Sequence, residues 1–545
     1  MKRSLRIRRM NQVLALTSGA AAQYNDAMIK DVSLRLSPEA ASNSMATKEA
    51  AAKQANVPLK DITGMRTIRR SVDARRNPPV IDMQVRLFCN EEESNVFEKT
   101  EYPQVKDKKQ VIVVGAGPAG LFASLQLIEK GLKPILLERG GDVHARKKDI
   151  ASLIRTGEVN EESNYSFGEG GAGAFSDGKL YTRATKRGDV GKVLSQFCQH
   201  GASTEILYDA HPHIGTDRLP QVIEQIRKTI LSCGGEVHFS TKVVKFLQKE
   251  GTVNGVVTQD GKEFFGPVIL ATGHSARDMY EYLEESGIAI EAKALAVGVR
   301  LEHPQTMIDK IQYKREESRG PYLPAAEYSF VTQVENRGVY SFCMCPGGFV
   351  IPAMTKAGQM VVNGMSTSGR DGAYANSGMV VELHPEDLPQ DQFGGNLGVM
   401  RFQEALEARC FKAGGSSMKA PSQRMVDFVN HRTSKDLPSS SYIPGLANAD
   451  LHHVLPSFIS ERLAQAFSVF GRKAHKFLTN EAVLIAAETR TSSPVRILRD
   501  KETNMHVELA GLFPCGEGAG YAGGIVSAAL DGINCAKSAA EYLGC

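Results

Sequence analysis

The strand–turn–helix–strand pattern of residues 109–140, KQVIVVGAGPAGLFASLQLIEKGLKPILLERG, constrains the fold more than any other feature. Val111–Val114 predict a short buried strand, Leu121–Lys130 a helix, and Pro134–Leu137 a second strand. The apolar run 111–128 approaches the length of a membrane span, but its glycines and proline interrupt it. We therefore expect a βαβ unit and no transmembrane segment.

The turn of this unit has the spacing Gly115-x-Gly117-x-x-Gly120. In a dinucleotide-binding turn, the first glycine permits the tight turn, the second lets the backbone approach a pyrophosphate, and the third lets helix and strand pack closely. Pro118 lies within this turn, and the free N–H groups at the start of the helix that follows attract phosphates. The turn therefore predicts a bound dinucleotide.

Glu138 ends the second strand, eighteen residues after Gly120. A carboxylate at this position accepts hydrogen bonds from ribose hydroxyls, and it would repel a 2′-phosphate. Arg139 follows directly, so the repulsion is not absolute. A ribose with free hydroxyls, as in FAD or NAD, fits best.

Two further stretches match the same glycine spacing. Gly518-x-Gly520-x-x-Gly523 lies between a strand-like GLFPC and a long apolar helix, but no acid-terminated strand follows it. We expect it to form a second wall of the first site. GEGGAG, residues 168–173, has neither a strand before it nor a helix after it, which predicts irregular backbone. Three glycine-rich segments that contact one ligand would suit a long molecule such as FAD.

The predicted fold class is α/β, with a Rossmann-like FAD-binding domain, an inserted mixed α+β domain and a small N-terminal α+β domain. Residues 1–105 form the N-terminal accessory domain and a linker, and no motif in them carries chemistry. Residues 106–291 and 481–545 are the two parts of the FAD-binding domain. Residues 292–480, where strand-like pieces alternate with Gly-, Pro- and Ser-rich loops, are the inserted substrate or cap domain.

The segments VVGAGPAGLFAS, LLERG, VILATG and GLFPCGEG resemble those of the glutathione-reductase-type FAD proteins. SNYSFGEGGAGAFSDGKLYTR, HPHIGTDRL, ATGHSARD, FCMCPGG, ETRTSSPVRI and GEGAGYAGGI are similar to a group of bacterial FAD-dependent dehydrogenases. The resemblance covers nearly the whole chain. It implies an FAD-dependent oxidoreductase with a non-covalently bound flavin.

The resemblance also implies roles for individual residues along FAD. The pyrophosphate would lie at Gly115, Gly117, Ala119 and Gly120, the adenosine ribose at Glu138 and Arg139, and the adenine at Val243. Thr272 and Gly273 would line the cofactor where the chain leaves the first domain for the insertion. The ribitol would lie at Gly516 and Glu517, and the flavin pyrimidine edge at Gly523, Gly524 and Ile525. Glu517 replaces the aspartate usual in related flavoproteins. We expect the backbone of Gly170, Gly171 and Gly173 to lie flat against the same ligand.

Several residues have open alternatives. Lys179 either counters the flavin charge or faces solvent. The side chains that either face a substrate or form a hydrogen-bonded network near the cofactor are His274, Arg277, Glu488, Arg490 and Thr491. No catalytic residue can be named, and no metal site is expected, because His211 and His213 lack a third ligand nearby in the sequence.

Cys343 and Cys345 are the only closely spaced pair among nine cysteines. One interpretation is a redox pair near the cofactor. The favoured one is two small apolar residues alternating along a strand that ends at Pro346-Gly347-Gly348.

The formal net charge of +4 is small for 545 residues and gives no reason to expect a nucleic-acid partner. The basic start MKRSLRIRR is favoured as a basic first strand or disordered start over a targeting segment. We expect a cytoplasmic protein with free thiols, a small-molecule substrate, no membrane partner, and NAD(P)H as a transient electron donor. A flavin-containing RNA-modifying factor and a non-enzymatic FAD sensor remain alternatives.

Overall fold

The computed structural model describes residues 27–182 and 185–545, so the basic start lies outside the described residues. The N-terminal unit contains β1 (Met28–Leu36), α1 (Pro38–Ser42), α2 (Ser44–Ala55), β2 (Ile62–Asp73) and β3 (Val80–Cys89). The antiparallel sheet has the order β1-β3-β2. Alternation along β3 buries Val85 and Leu87 together with Ala51 and Ala55 of α2.

The chain then forms β4 (Gln110–Val114), α3 (Pro118–Glu129), β5 (Lys133–Leu137), α4 (Val143–Thr156), α5 (Val190–Gln199), α6 (Leu219–Ser232), β6 (Glu236–His238), β7 (Val243–Lys249), β8 (Thr252–Thr258), β9 (Glu263–Phe265), β10 (Val268–Leu270), α7 (Arg277–Glu285) and β11 (Ile290–Ala292). The predicted βαβ unit is present, although its helix starts at Pro118 rather than at Leu121. The predicted single strand EVHFSTKVVKFLQ is two strands, β6 and β7.

The next elements are β12 (Leu295–Pro304), α8 (Gln305–Tyr313), β13 (Val331–Val334), β14 (Arg337–Pro352), β15 (Val362–Ser366), β16 (Tyr374–Leu383), α9 (Gln390–Phe393), α10 (Gly398–Ala413), β17 (Ala420–Arg424), α11 (Met425–Val429), β18 (Leu446–Asn448), α12 (Leu451–Val454), α13 (Ser457–Lys473), β19 (Val483–Glu488) and β20 (Val495–Ile497). The chain ends with β21 (Leu512–Pro514) and α14 (Ile525–Tyr542).

The first large sheet is parallel and five-stranded, in the order β21-β10-β4-β5-β6. The helices α3 and α14 pack side by side on it, and Gly532 permits this, because a Cβ there would lie 2.1 Å from the Ala119 carbonyl oxygen. Their buried aliphatic side chains each contribute about 1.5–3 kcal/mol by leaving water.

The second large sheet is eight-stranded, with the order β13-β14-β16-β12-β19-β17-β18 and with β15 added beside β14. Because β19 pairs with β12 and β17, residues 483–488 belong to this sheet. The predicted boundary between 480 and 481 is therefore too early, since the chain returns to the first sheet only after β19. Among the described residues, no helix combines the length and apolar character needed to cross a membrane.

Candidate functional site

A cleft lies at the carboxyl edge of the first sheet, between the turns after β4 and β10 and the inner face of the second sheet. In the strand order β10-β4-β5, the connections from these strands diverge, and such switch points are where open α/β sheets bind ligands. Gly115, with φ +105°, allows the two turns to touch: a Cβ there would lie 2.4 Å from the Ala271 carbonyl oxygen.

The helix α3 begins directly at the cleft. Its N-cap residue is Gly117, which has no side chain to cap the first N–H groups, and Pro118 and Ala119 follow along the cleft wall. These N–H groups and the positive end of the helix dipole face the cavity. Gly120 lies behind the wall, where a Cβ would come within 1.9 Å of the Gly115 carbonyl oxygen. It serves packing.

The GEGGAG stretch packs onto this turn. The N–H of Gly170 donates to the Ala116 carbonyl oxygen at 2.8 Å, and Gly171–Gly173 form one 3₁₀ turn. A Cβ on Gly171 would lie 3.0 Å from the Gly117 Cα atom. Gly171 and Gly173 line the cleft, whereas Gly170 faces Ile223 behind it.

Arg146, on α4, holds the same stretch from behind and is a residue that the sequence analysis missed. Its fully buried guanidinium donates to the carbonyl oxygens of Asn164, Tyr165 and Glu169 at 2.8 Å. The only signal in the sequence is an arginine in the helix after the βαβ unit, because the partners are backbone atoms.

Glu138 joins three segments of the site. Its Oε2 accepts a hydrogen bond from the N–H of Ala116 at 2.8 Å, and its Oε1 accepts from the N–H groups of Gly140 and Gly168 at 2.9 Å. The carboxylate is 5% exposed and lines the cleft. A carboxylate offers about four lone-pair sites, so room for a ligand hydroxyl remains.

Arg139 also lines the cleft, but its guanidinium is engaged by protein groups. It pairs with Asp278 at 3.0 and 3.1 Å and with Glu162 at 2.5 Å, and it stacks 4.2 Å above the centre of the Phe167 ring. Thr241, Lys242 and Val243 complete this end of the cleft.

At the opposite end, α14 begins with the N-cap Gly524 and points its N-terminus at the cavity. No described atom lies within 4 Å of a Cβ built on Gly273, Gly523 or Gly524, so the space before this helix is open. Glu517 lines the cleft here, and burial raises its pKa to about 7. Gly516 lies outside the lining, where its N–H donates to Asp531 at 2.7 Å.

The second sheet closes the cleft with Phe342, Cys343 and Asn363. Lys179 reaches across from the first domain and donates to the Met344 carbonyl oxygen. The expected strand end at Pro346-Gly347-Gly348 is wrong, because β14 continues to Pro352. Both cysteines lie in this strand, and Cys345 is buried in packing, whereas Cys343 lines the cavity.

The motifs ATGHSARD and ETRTSS form a network that joins the two domains. Glu407 of α10 accepts hydrogen bonds from Arg277 at 2.8 and 2.9 Å and from Arg490 at 3.1 and 3.2 Å. Burial alone would raise the pKa of Glu407, but the two arginines hold it at about 2. Arg490, His274 and Thr491 line the cleft.

Glu488, His211 and His213 lie outside the network around Glu407. Glu488 is buried against Arg300 at 3.0 Å. His211 pairs with Glu327, whereas His213 pairs with the Ser368 carbonyl oxygen. The two imidazoles therefore have separate partners. Burial, aided by Arg490, lowers the pKa of His274 to about 4, which leaves this imidazole neutral at pH 7.

The predicted residues therefore fall into two groups. Those that line the cleft are Gly115, Gly117, Pro118, Ala119, Glu138, Arg139, Gly171, Gly173, Lys179, Val243, Thr272, Gly273, Glu517, Gly523, Gly524 and Ile525. Gly120, Gly170 and Gly516, which the sequence assigned to cofactor binding, lie behind the cleft wall and hold the turns together.

The residues present fit FAD. Two helix N-termini with glycine caps face one elongated cavity, which suits a ligand with a pyrophosphate at one end and a ring that becomes negatively charged at the other. The glycines at both ends leave the space that the two halves of such a ligand need.

Three family models match the chain. Residues 109–285 match the pyridine nucleotide-disulphide oxidoreductase model, and residues 294–491 match the model of a C-terminal domain-like region of FAD-dependent proteins. Residues 28–88 match a domain of unknown function. The second match includes β19.

A protein from Clostridium beijerinckii, described as uncharacterized, is 41% identical over 509 residues, which cover 90% of this chain and 94% of that protein. Among solved structures, the flavin-dependent brominase Bmp2 is 13% identical with a TM-score of 0.35, and covers 80% of this chain and 79% of its own. A geranylgeranyl bacteriochlorophyll reductase-like protein from Thermoplasma acidophilum has the same identity and coverages and a TM-score of 0.34.

Proposed function

This chain belongs to the family of FAD-dependent oxidoreductases, and from this premise we propose that it is a dehydrogenase. It holds FAD non-covalently along the cleft and passes a hydride or an electron pair between a small-molecule substrate and a second redox partner. The observation that carries the proposal is one continuous cavity lined by both helix N-termini, the GEGGAG stretch and the second sheet.

The first domain anchors the adenosine half of the cofactor. The N–H groups at the start of α3 bind the pyrophosphate, and the close contact of Gly171 with Gly117 keeps bulky side chains away from it. Glu138 offers its remaining lone pairs to the ribose hydroxyls. Thr241, Lys242 and Val243 border the adenine.

The flavin half of the cofactor would lie at the start of α14. When bound, the isoalloxazine ring supplies the hydride and electron chemistry. The positive end of α14 and the ammonium group of Lys179 stabilise negative charge at this end of the cleft. Glu517 changes protonation near neutral pH, so it can hold or release a proton beside the ring.

The second sheet excludes water and shapes the substrate space with Phe342, Cys343 and Asn363. The sequence contains no second complete dinucleotide fingerprint, so NAD(P)H would dock transiently from this side. Glu407 and Arg490 hold the second-sheet domain against the first, because Glu407 accepts from Arg277 of α7 and Arg490 donates to Ser275.

Anaerobic addition of NADH and NADPH to the purified flavoprotein tests this proposal. We expect one nucleotide to bleach the long-wavelength flavin band, and a screened small-molecule acceptor or dioxygen to restore it. If neither nucleotide bleaches a protein that contains flavin, NAD(P)H is not its donor. If candidate substrates also fail, the dehydrogenase assignment is wrong.

A further inference from the structure

We propose that Cys343 and Cys345 form a reversible dithiol–disulfide pair that exchanges a hydride equivalent with the flavin. This inference rests on the proposed function, because the flavin supplies the oxidant and the reductant. It assigns a chemical role to the wall of the second sheet, which faces the reactive end of the cleft.

The backbone at Cys343 is bent in a way that regular sheet packing does not require. Along the β14–β16 pairing, Phe342 faces Gly378 and Cys345 faces Asn376, so β14 has one extra residue over this interval. Cys343 has a φ of +44°, which for a residue with a Cβ costs about 1–3 kcal/mol. Bulges of this kind redirect side chains next to active sites.

The bulge gives the two thiols different environments. Cys343 is partly exposed and lines the cavity, whereas Cys345 is fully buried behind it. The Cys345 thiol donates to the Cys343 carbonyl oxygen at 3.4 Å, so the two residues are in direct contact. An accessible thiol with a buried neighbour within reach is the arrangement that a reversible disulfide needs.

Cations favour a thiolate at Cys343. Arg300 donates to the Cys343 carbonyl oxygen at 2.7 Å and lies 3.3 Å from the Cys345 sulfur, and Lys179 reaches the same strand. The hydrogen bond from Cys345, aided by Lys179 and Arg300, lowers the pKa of Cys343 below that of an ordinary thiol. A thiolate is the reactive form of cysteine.

The acidic groups near Cys343 oppose this effect only in part. Asp177 is paired with Arg370 at 2.6 Å, and Glu488 with Arg300 at 3.0 Å. Burial raises the pKa of Glu517, so this carboxyl is partly protonated at pH 7. Among the described charged groups near the thiol, Asp177 and Glu488 are each held in an ion pair, and Lys179 favours the thiolate.

The Cys343 thiolate sulfur forms a bond with the Cys345 sulfur, the S–H bond of Cys345 breaks, and the proton and two electrons pass together to the oxidised flavin. In the reverse direction, the S–S bond would accept two electrons and a proton from bound, reduced flavin and break, which leaves Cys343 as the thiolate and Cys345 as the thiol. A thiol or disulfide compound that enters the cleft can then react at Cys343.

Mass spectrometry of the full-length flavoprotein tests this directly. Both cysteines lie in one tryptic peptide, residues 338–356, which contains no other cysteine. We expect the peptide from air-oxidised protein to be two hydrogens lighter and resistant to alkylation. After anaerobic photoreduction of the flavin, both cysteines should become alkylated. The buried pair Cys515 and Cys535, which does not line the cleft, should stay reduced throughout.

A reductive titration gives the second readout. Wild-type protein should take up about two more electron equivalents per flavin than Cys343→Ser, because the disulfide is a two-electron couple. The variant Cys515→Ser should match the wild type. Flavin content, read from absorbance in the same samples, separates the two proposals. Normal flavin reduction with free thiols in every state overturns the pair alone, whereas protein without flavin overturns both proposals.

Discussion

Gly171 lies so close to Gly117 that a Cβ atom on Gly171 would come within 3.0 Å of the Gly117 Cα atom. Two glycine-rich turns that are more than fifty residues apart in sequence therefore form one surface of the cleft. Because neither turn can accept a side chain at this contact, the surface stays flat where the cofactor pyrophosphate would lie.

Gly171→Ala should release FAD. Alanine at φ +57° costs about 1–2 kcal/mol, and its methyl group would also push the Gly117 turn away. Gly287→Ala is the matched control, since Gly287 has φ +67° and no described atom near its Cβ position. The flavin-to-protein absorbance ratio should fall several-fold only for Gly171→Ala. Equal ratios in both variants would show that the contact does not matter.

Glu138→Gln should destabilise the site although its shape is kept. The side-chain amide nitrogen would face a backbone N–H donor at Ala116, or two at Gly140 and Gly168. An unpaired buried donor costs about 1–3 kcal/mol. Thermal unfolding of this variant, compared with the half-exposed Glu236→Gln, measures the loss. An unchanged midpoint would contradict the role of the carboxylate as a junction.

Glu407→Gln should weaken the joint between the domains. The variant leaves the buried guanidinium groups of Arg277 and Arg490 without their shared negative charge. Removing one member of such a buried set costs about 3–5 kcal/mol. Chemical unfolding should show this loss, while Glu404→Gln on the same helix, 3.9 Å from Arg277, should change little. Similar losses in both variants would refute the central role of Glu407.

Glu517 should make the flavin-free protein less stable as the pH rises. Burial raises its folded-state pKa from 4.5 to about 7, so the folded state binds this proton more tightly than the unfolded state. Stability from this group is complete below pH 4.5 and is lost between pH 4.5 and 7, by on the order of 3 kcal/mol. Unfolding of wild type and Glu517→Gln across this range should converge at low pH. Parallel curves would contradict the shift.

The local parts of the site could be predicted from the sequence, because they depend on neighbouring residues. The strand, turn and helix around Gly117 follow from apolar periodicity and glycine spacing. The position of GEGGAG beside this turn was inferred from the length of the ligand, and the two turns do pack together. The hydrogen bond that the Gly168 N–H donates to Glu138 was not foreseen.

The missed features depend on contacts between distant segments. The assignment of β19 to the second sheet follows from its pairing with β12, more than 180 residues earlier in the chain. The position of Cys343 depends on a bulge in the pairing of β14 with β16, which leaves no signature in the letters FCMC. Arg146 binds carbonyl oxygens, and these are the same for every residue type.

An experimental structure of the protein purified with its flavin tests the central claim most directly. The account predicts one FAD along the cleft, with its pyrophosphate at Gly117–Ala119 and its isoalloxazine ring at Gly523 and Gly524, beside Lys179 and Cys343. A flavin bound elsewhere, or a nucleotide that ends before α14 and leaves Gly523 and Gly524 in contact with solvent, would contradict it.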